Sequence, residues 1–142
     1  NLPILEKADP QWKALMKAAG SYIVKDTIGT PDVTILATGS EVSLACAAAA
    51  LASPAKVRVV SVLSKELLEG DGAAARTHLA GGGNVRVMVA EAGVKQGWES
   101  WVQSPDDIFS IDRFGESGPA QKVAGHLHFT AEALADRIKN TR

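Results

Sequence analysis

The sequence predicts an α/β fold in which helices cover both faces of a mostly parallel sheet. Short apolar runs rich in β-branched residues alternate with segments of helical character, and the connections between them are short. This alternation is typical of parallel strands that are joined by right-handed helical crossovers. The chain has 142 residues, of which 46% are hydrophobic. It is therefore long enough for one domain with a proper core and too short for two ordinary ones.

The first elements are a short helix and a strand. Asp9 is a suitable cap for the helix, Pro10 suits its first position, and Gly20 can end it. Residues 21–25 then have strand character, and the sequence at 29–32 signals a turn.

Two apolar runs in the middle of the chain predict buried strands. Residues 33–37 form the first, and Ser40 then caps a helix over 41–51, where many small side chains allow close packing on a sheet. Residues 57–62 form the next strand, which is nearly continuous in β-branched residues.

The second half of the chain continues the same alternation. Residues 64–79 are predicted as a polar segment with one or two short helices, and residues 85–89 as a strand. Trp98 and Trp101 are expected on a short helical stretch. A last strand over 108–111 precedes two helices, of which one opens at Gly118-Pro119 and the other is capped by Thr130.

Composition and charge exclude several classes of function. The formal net charge of -1 gives no electrostatic reason to expect nucleic acid or an anionic membrane as a partner. No stretch is long and apolar enough to cross a bilayer. The single cysteine, Cys46, is predicted to be a buried and unreactive thiol, which suits a cytoplasmic protein. Because the chain begins at Asn1 without a methionine, we expect an excised or processed piece, or an incompletely recorded chain.

Polar residues follow each predicted parallel strand, and the carboxyl ends of such strands meet at one edge of a sheet. We therefore expect one polar edge that serves as an anion site or an interface. The polar residues expected there are Ser40, Glu41, Ser64, Lys65, Glu91, Asp112 and Arg113. Of these, the candidates for an anion site or an interface are Ser40, Glu41, Glu91, Asp112 and Arg113.

Each candidate also has a purely structural interpretation. Thr38-Gly39-Ser40 could cradle a phosphate at a helix start, but Glu41 in the first turn would repel an anion, which favours a simple helix cap. His126 and His128 could face one metal ion, but a third ligand is not evident. We assign no catalytic, cofactor-binding or metal-binding residue from these patterns.

Several segments, taken in order, resemble the C-terminal domain of transketolases. Residues 31–42, with the sequence Pro-Asp-Val-Thr-Ile-Leu-Ala-Thr-Gly-Ser-Glu-Val, are very close to the family pattern. Glu91-Ala92-Gly93 followed by Gly97-Trp98, and then residues 111–120, complete the set. The resemblance implies that residues 1–19 are a linker and short helix leading from a preceding domain, and that residues 20–142 are the C-terminal domain.

The resemblance also implies a fold and a function. The fold is a three-layer αβα arrangement around a five-stranded sheet whose first strand is antiparallel. The function belongs to a dimeric enzyme of pentose phosphate metabolism, which transfers a two-carbon ketol unit from a ketose phosphate to an aldose phosphate. Its thiamine diphosphate, with magnesium or calcium, sits between the two other domains. This domain would provide structural support and subunit contact, with a regulatory site sometimes suggested, and no catalytic residue.

Two features depart from the family or invite a different interpretation. Val62-Leu63 stands where the family usually has Met-Pro. Gly70-Asp71-Gly72 matches the triplet whose aspartate binds magnesium in thiamine diphosphate enzymes, but it does not follow a buried strand, so we predict a turn there. The alternatives to a transketolase domain are a free-standing module that binds a small anion or phosphorylated metabolite at the polar edge, and a purely structural dimerisation domain.

Overall fold

The computed structural model describes residues 4–82, 84–113 and 117–140, and it contains a five-stranded sheet. Strand β1 pairs with β3 in the antiparallel sense, and the remaining neighbours in the sheet are parallel. The order across the sheet is β1-β3-β2-β4-β5. The predicted fold class, including the single antiparallel strand, is therefore confirmed. The strands are β1 (Ser21–Lys25), β2 (Val33–Thr38), β3 (Val57–Val62), β4 (Arg86–Glu91) and β5 (Ile108–Ser110).

Within the described residues, two of the four connections between strands contain an α-helix, and the other three α-helices precede β1 or follow β5. None of the helices in the described part of the chain combines the length and apolar character needed to cross a membrane. A single turn of 3₁₀ helix, Pro105–Asp107, precedes β5. The helices are α1 (Trp12–Ala19), α2 (Glu41–Leu51), α3 (Lys65–His78), α4 (Ala120–His126) and α5 (Ala131–Lys139).

The sheet is buried on both faces by two apolar clusters. On one face, Ile35 of β2 and Met88 of β4 pack in a cluster with α2 and with Leu134 of α5. On the other face, Leu36 and Val89 from the same strands pack with Leu68 of α3. This burial explains why the central strands are continuous apolar runs instead of alternating patterns.

The chain enters β1 beside the carboxyl end of β3, whereas α5 ends beside the amino end of β4. The carbonyl of Gly20, between α1 and β1, accepts hydrogen bonds from the backbone amides of Leu63 (2.8 Å) and Ser64 (3.0 Å), just beyond the carboxyl end of β3. At the opposite end of the strands, the guanidinium of Arg86, the first residue of β4, donates to the carbonyls of Arg137 (3.2 Å) and Ile138 (3.3 Å) near the end of α5.

The predicted start of the first helix is wrong by two residues. Helix α1 begins at Trp12, after a turn in which the Asp9 carboxylate accepts from the amide of Gln11 (2.7 Å) and the Asp9 carbonyl accepts from the amide of Trp12 (3.1 Å). Asp9 thus stabilises the turn before the helix instead of capping it, and Pro10 lies in that turn. Gly20 ends the helix as predicted, in the left-handed conformation with φ of 62°.

The turn predicted at Gly70-Asp71-Gly72 is also wrong, because these residues lie within α3. One helix of 14 residues replaces the one or two short helices expected here. The Ser64 hydroxyl accepts from the amide of Leu67 at the helix start, and the fully buried Leu68 anchors the helix on the sheet. Such packing overrides the low helix propensity of glycine.

Two further local predictions need correction. Trp98 and Trp101 lie in consecutive turns, closed by the bonds from the Trp98 amide to the Lys95 carbonyl (3.1 Å) and from the Trp101 amide to the Trp98 carbonyl (3.0 Å). Ser40 does precede α2, but its side chain donates to the Glu41 carboxylate and makes no capping bond to the backbone. The cap predicted at Thr130 is confirmed, since its hydroxyl accepts from the amide of Ala133 (3.3 Å).

Candidate functional site

The polar edge predicted from the sequence is formed by the carboxyl ends of β3, β2, β4 and β5. Two of its residues on neighbouring strands are directly linked, because the Thr38 hydroxyl donates to Oε2 of Glu91 at 3.0 Å. Oε1 of Glu91 accepts from the amide of Gly93, also at 3.0 Å. The carboxylate of Glu91 is therefore held by the ends of two adjacent strands.

Glu41 lies beside this link, at the start of α2. It is 8% exposed, and its carboxylate accepts a short hydrogen bond from the Ser40 hydroxyl. Its other oxygen, Oε2, lies 3.5 Å from the Thr38 hydroxyl. A carboxylate already occupies the favourable field at the first turn of α2, so this helix start does not suit a phosphate.

A crevice of about 630 Å³ opens over the carboxyl ends of β2, β3 and β4. It contains charged, hydroxyl and apolar groups together. On one wall, the ammonium of Lys65 lies 3.4 Å from Oε1 of Glu69 and 5.6 Å from the ring centroid of Trp98. The residues that line the crevice are Thr38, Gly39, Ser61, Val62, Leu63, Ser64, Lys65, Glu66, Glu91 and Trp98.

Asp112 and Arg113 follow β5 at the outer part of the edge, and both are exposed. The Asp112 carboxylate pairs with the ammonium of Lys95 at 2.8 Å, and this hydrogen bond with the accompanying charge raises the pKa of Lys95. Neither Asp112 nor Arg113 is among the described residues that line the crevice. Phe114, in the same motif, lies outside the described residues.

Sequence reasoning missed Lys95 as a member of this edge. Its pairing with Asp112 depends on β4 and β5 being neighbours in the sheet, and no local pattern around Lys95 signals that adjacency. The sequence marks Gly97 only as part of a motif. It has φ of +86°, and a Cβ there would overlap the Lys65 ammonium. Glycine at 97 therefore provides the space in which Lys65 sits against Trp98.

The described residues do not fit a thiamine diphosphate and magnesium site. Among the side chains that the structure describes, no three from His, Cys, Asp or Glu come together as a metal site. The Gly70-Asp71-Gly72 triplet lies within helix α3, not in a loop after a strand. His126 ends α4 and His128 lies two residues later with φ of 53°.

Comparisons with known proteins identify the family to which the chain belongs. A family model described as the transketolase-like C-terminal domain matches residues 20–130. The chain belongs to this family. A transketolase of Treponema pallidum is 48% identical to it over 138 residues, which are 97% of this chain and 20% of the relative. A probable transketolase of Streptococcus pneumoniae is 36% identical over 127 residues, which are 88% of this chain and 19% of the relative.

Solved transketolase structures share the fold as well. A transketolase of Pichia stipitis, crystallised with sedoheptulose-7-phosphate, matches 99% of this chain with a TM-score of 0.83 and 29% identity. The match covers 20% of the Pichia chain. This transketolase C-terminal domain thus spans about one fifth of the length of the curated and solved relatives that it matches.

Proposed function

We propose that this domain works within a transketolase, an enzyme that transfers a two-carbon ketol unit from a ketose phosphate to an aldose phosphate. The match of residues 20–130 to the family's C-terminal domain carries the proposal. Thiamine diphosphate and its magnesium or calcium would be bound by the other parts of the enzyme. The position of Gly70-Asp71-Gly72 within helix α3, instead of in a loop after a strand, supports this division of labour.

The role that we propose for the domain itself is structural support and contact with other domains and a second subunit, in a cytoplasmic enzyme. The polar edge is the surface that we assign to this contact. Exposed apolar side chains accompany the charges there, with Leu63 57% exposed after β3 and Val94 60% exposed after β4. Interfaces between domains commonly combine polar and apolar groups in this way.

The alternative of a free-standing module for a phosphorylated metabolite has weaker support. Glu41 occupies the start of α2, and Glu66 and Glu91 line the crevice beside it. Lys65, a cation that lines the crevice, is paired with Glu69. These carboxylates oppose the binding of an anion at the edge.

The test compares the full-length enzyme that contains this sequence with the isolated chain. Ketol transfer is measured with a ketose phosphate donor, an aldose phosphate acceptor, thiamine diphosphate and magnesium. We expect activity in the full-length enzyme and none in the isolated chain, which should also show no heat of binding with the cofactor and magnesium. Ketol transfer by the isolated chain, or an inactive full-length enzyme that is folded and cofactor-loaded, would contradict the proposal.

A further inference from the structure

Residues 5–19 precede the part of the chain that the family model matches, yet several of them contact the sheet. Leu5 is partly buried against the apolar cluster on the face that α2 covers. Trp12, the first residue of α1, lies 5.4 Å from Tyr22 of β1 between ring centroids, with an angle of 48° between the ring planes. This separation is typical of favourable aromatic pairs. The segment ahead of β1 is therefore attached to the domain at two points.

The Trp12 ring also contacts two lysine side chains. The ammonium of Lys7 lies 5.4 Å from the ring centroid, and the ammonium of Lys13 lies 5.6 Å from it. Lys7 in addition donates to the carbonyl of Leu5 at 2.7 Å. A cation over the face of a tryptophan is attracted by the ring. The ring thus joins the residues ahead of α1, the helix itself and β1 at one place.

The other end of α1 meets the opposite face of the sheet. Ala19 is buried, and a Cβ added to Gly20 would lie 2.8 Å from Cβ of Leu67 in α3. Helix α3 packs through Leu68 on the face away from α2, whereas Tyr22 packs with the cluster on the α2 face. Strand β1 is the outermost strand on this side. Helix α1 therefore crosses the edge of the sheet at β1, with one end against each face.

We propose that residues 5–19 form a strap that belongs to the folded domain, with Trp12 as its anchor, and that the joint to any preceding domain lies ahead of Leu5. This assignment differs from the linker that the resemblance implies for residues 1–19. Linkers between domains make few contacts with either neighbour. A preceding domain would then be attached through a helix that is fixed on the sheet instead of through a flexible tether. The strap does not depend on ketol transfer, so it can fail while the proposed transketolase function stands.

Hydrogen exchange in the 142-residue chain tests whether the strap is docked. The amide of Leu15 donates to the carbonyl of Gln11 (3.1 Å) at the start of α1, and its exchange rate is compared with that of the same amide in a synthetic peptide of residues 1–20. A helix of 8 residues has little stability in water by itself. We expect exchange in the chain to be slower by on the order of a hundredfold or more, because α1 opens only when it leaves the sheet. Equal rates in the chain and the peptide would overturn the proposal.

Substitutions on α1 test the anchor. Trp12→Ala removes the ring contacts although alanine itself favours a helix, so it should speed the exchange of the Leu15 amide by about tenfold. Lys17→Ala, at an exposed position of the same helix, should leave that rate nearly unchanged. Trp12→Phe keeps an aromatic ring, should fall between the other two variants, and provides a second measurement if Trp12→Ala fails to fold. Exchange of Leu15 at the same rate in the Trp12 variants and in Lys17→Ala would refute the anchor.

Discussion

At the scale of single residues, Cys46 shows how partial burial changes the chemistry of a group. The thiol lies half-buried on α2, and burial raises its pKa while the nearby charge of Lys25 opposes the shift. The folded chain then holds the thiol proton more tightly than the unfolded chain. This contribution to stability is present below the ordinary thiol pKa and is lost as the pH rises through the folded pKa.

We predict a corresponding shift in the reactivity of Cys46. The rate of alkylation by iodoacetamide, measured against pH, should have its midpoint at a higher pH in the native chain than in the urea-unfolded chain. Because the thiolate is the reactive form, the native thiol should also react slowly at neutral pH. A native midpoint equal to or below the unfolded one would show that Lys25 outweighs burial.

Asp107 carries the second prediction at this scale. Its carboxylate is 6% exposed, and Oδ1 accepts from Nε (2.9 Å) and Nη2 (2.6 Å) of Arg86. Asp107→Ala leaves the partly buried guanidinium without this partner, so the free energy of unfolding should fall by about 3 kcal/mol. Asp112→Ala breaks the solvent-exposed pair with Lys95 and should change the free energy of unfolding little. Urea denaturation of both variants measures the difference, and equal effects would contradict a structural role for the Asp107 pair.

At the scale of elements, the junction between α1 and β1 depends on a glycine. Gly20 has φ of +62°, and a Cβ there would lie 2.7 Å from the Ser64 carbonyl oxygen and 2.8 Å from Cβ of Leu67. Gly29 has φ of +78° with no atom within 4 Å of its added Cβ, so it provides a control for the backbone strain alone.

We predict that Gly20→Ala destabilises the chain more than Gly29→Ala does. Gly29→Ala should cost about 1 kcal/mol through its left-handed backbone. Gly20→Ala should cost roughly 3 kcal/mol, because the overlap with α3 adds to the same strain. Thermal unfolding of the two variants distinguishes these contributions. A similar loss of stability in both variants would mean that α3 moves away from the added methyl group at position 20 without a cost in free energy.

The elements also show which features a sequence reveals. The runs that became β2 and β3 are buried on both faces, and their β-branched composition predicted them well. The turn predicted at Gly70-Asp71-Gly72 is wrong because nothing local to the triplet signals the anchor that Leu68 makes with the sheet. The Lys95–Asp112 and Arg86–Asp107 pairs join residues far apart in sequence, and only the strand order brings them together.

At the scale of the whole molecule, the sequence predicts that the candidate residues share one edge of the sheet, but it does not predict the contacts between their side chains. Parallel strands place Ser40, Glu41, Glu91 and Asp112 at one edge by topology alone. The bond from Thr38 to Glu91, and the compensation of Lys65 by Glu69 and Trp98, depend on side-chain geometry. These contacts fix the positions of the charged groups along the polar edge.

We predict that the isolated chain folds cooperatively. Apolar clusters cover both faces of the sheet, and many core side chains, including Ile35, Leu36 and Leu134, are fully buried. A domain with its own core unfolds in one transition. Circular dichroism and tryptophan fluorescence should report the same midpoint in urea. Separate midpoints, or a broad melt with strong binding of a hydrophobic dye, would show that the core needs the rest of the enzyme.

The opposite positions of Gly20 and the end of α5 have a practical consequence. The chain passes Gly20 beside Leu63 and Ser64, on the crevice side of the sheet, whereas Arg86 fixes the last turn of α5 at the far side. A sensor surface that holds the protein by the end of α5 would leave the crevice facing the solution. Attachment at the junction between α1 and β1 would instead turn the crevice toward the surface, so the choice of anchoring point determines whether the carboxyl ends of the strands stay open to the solution.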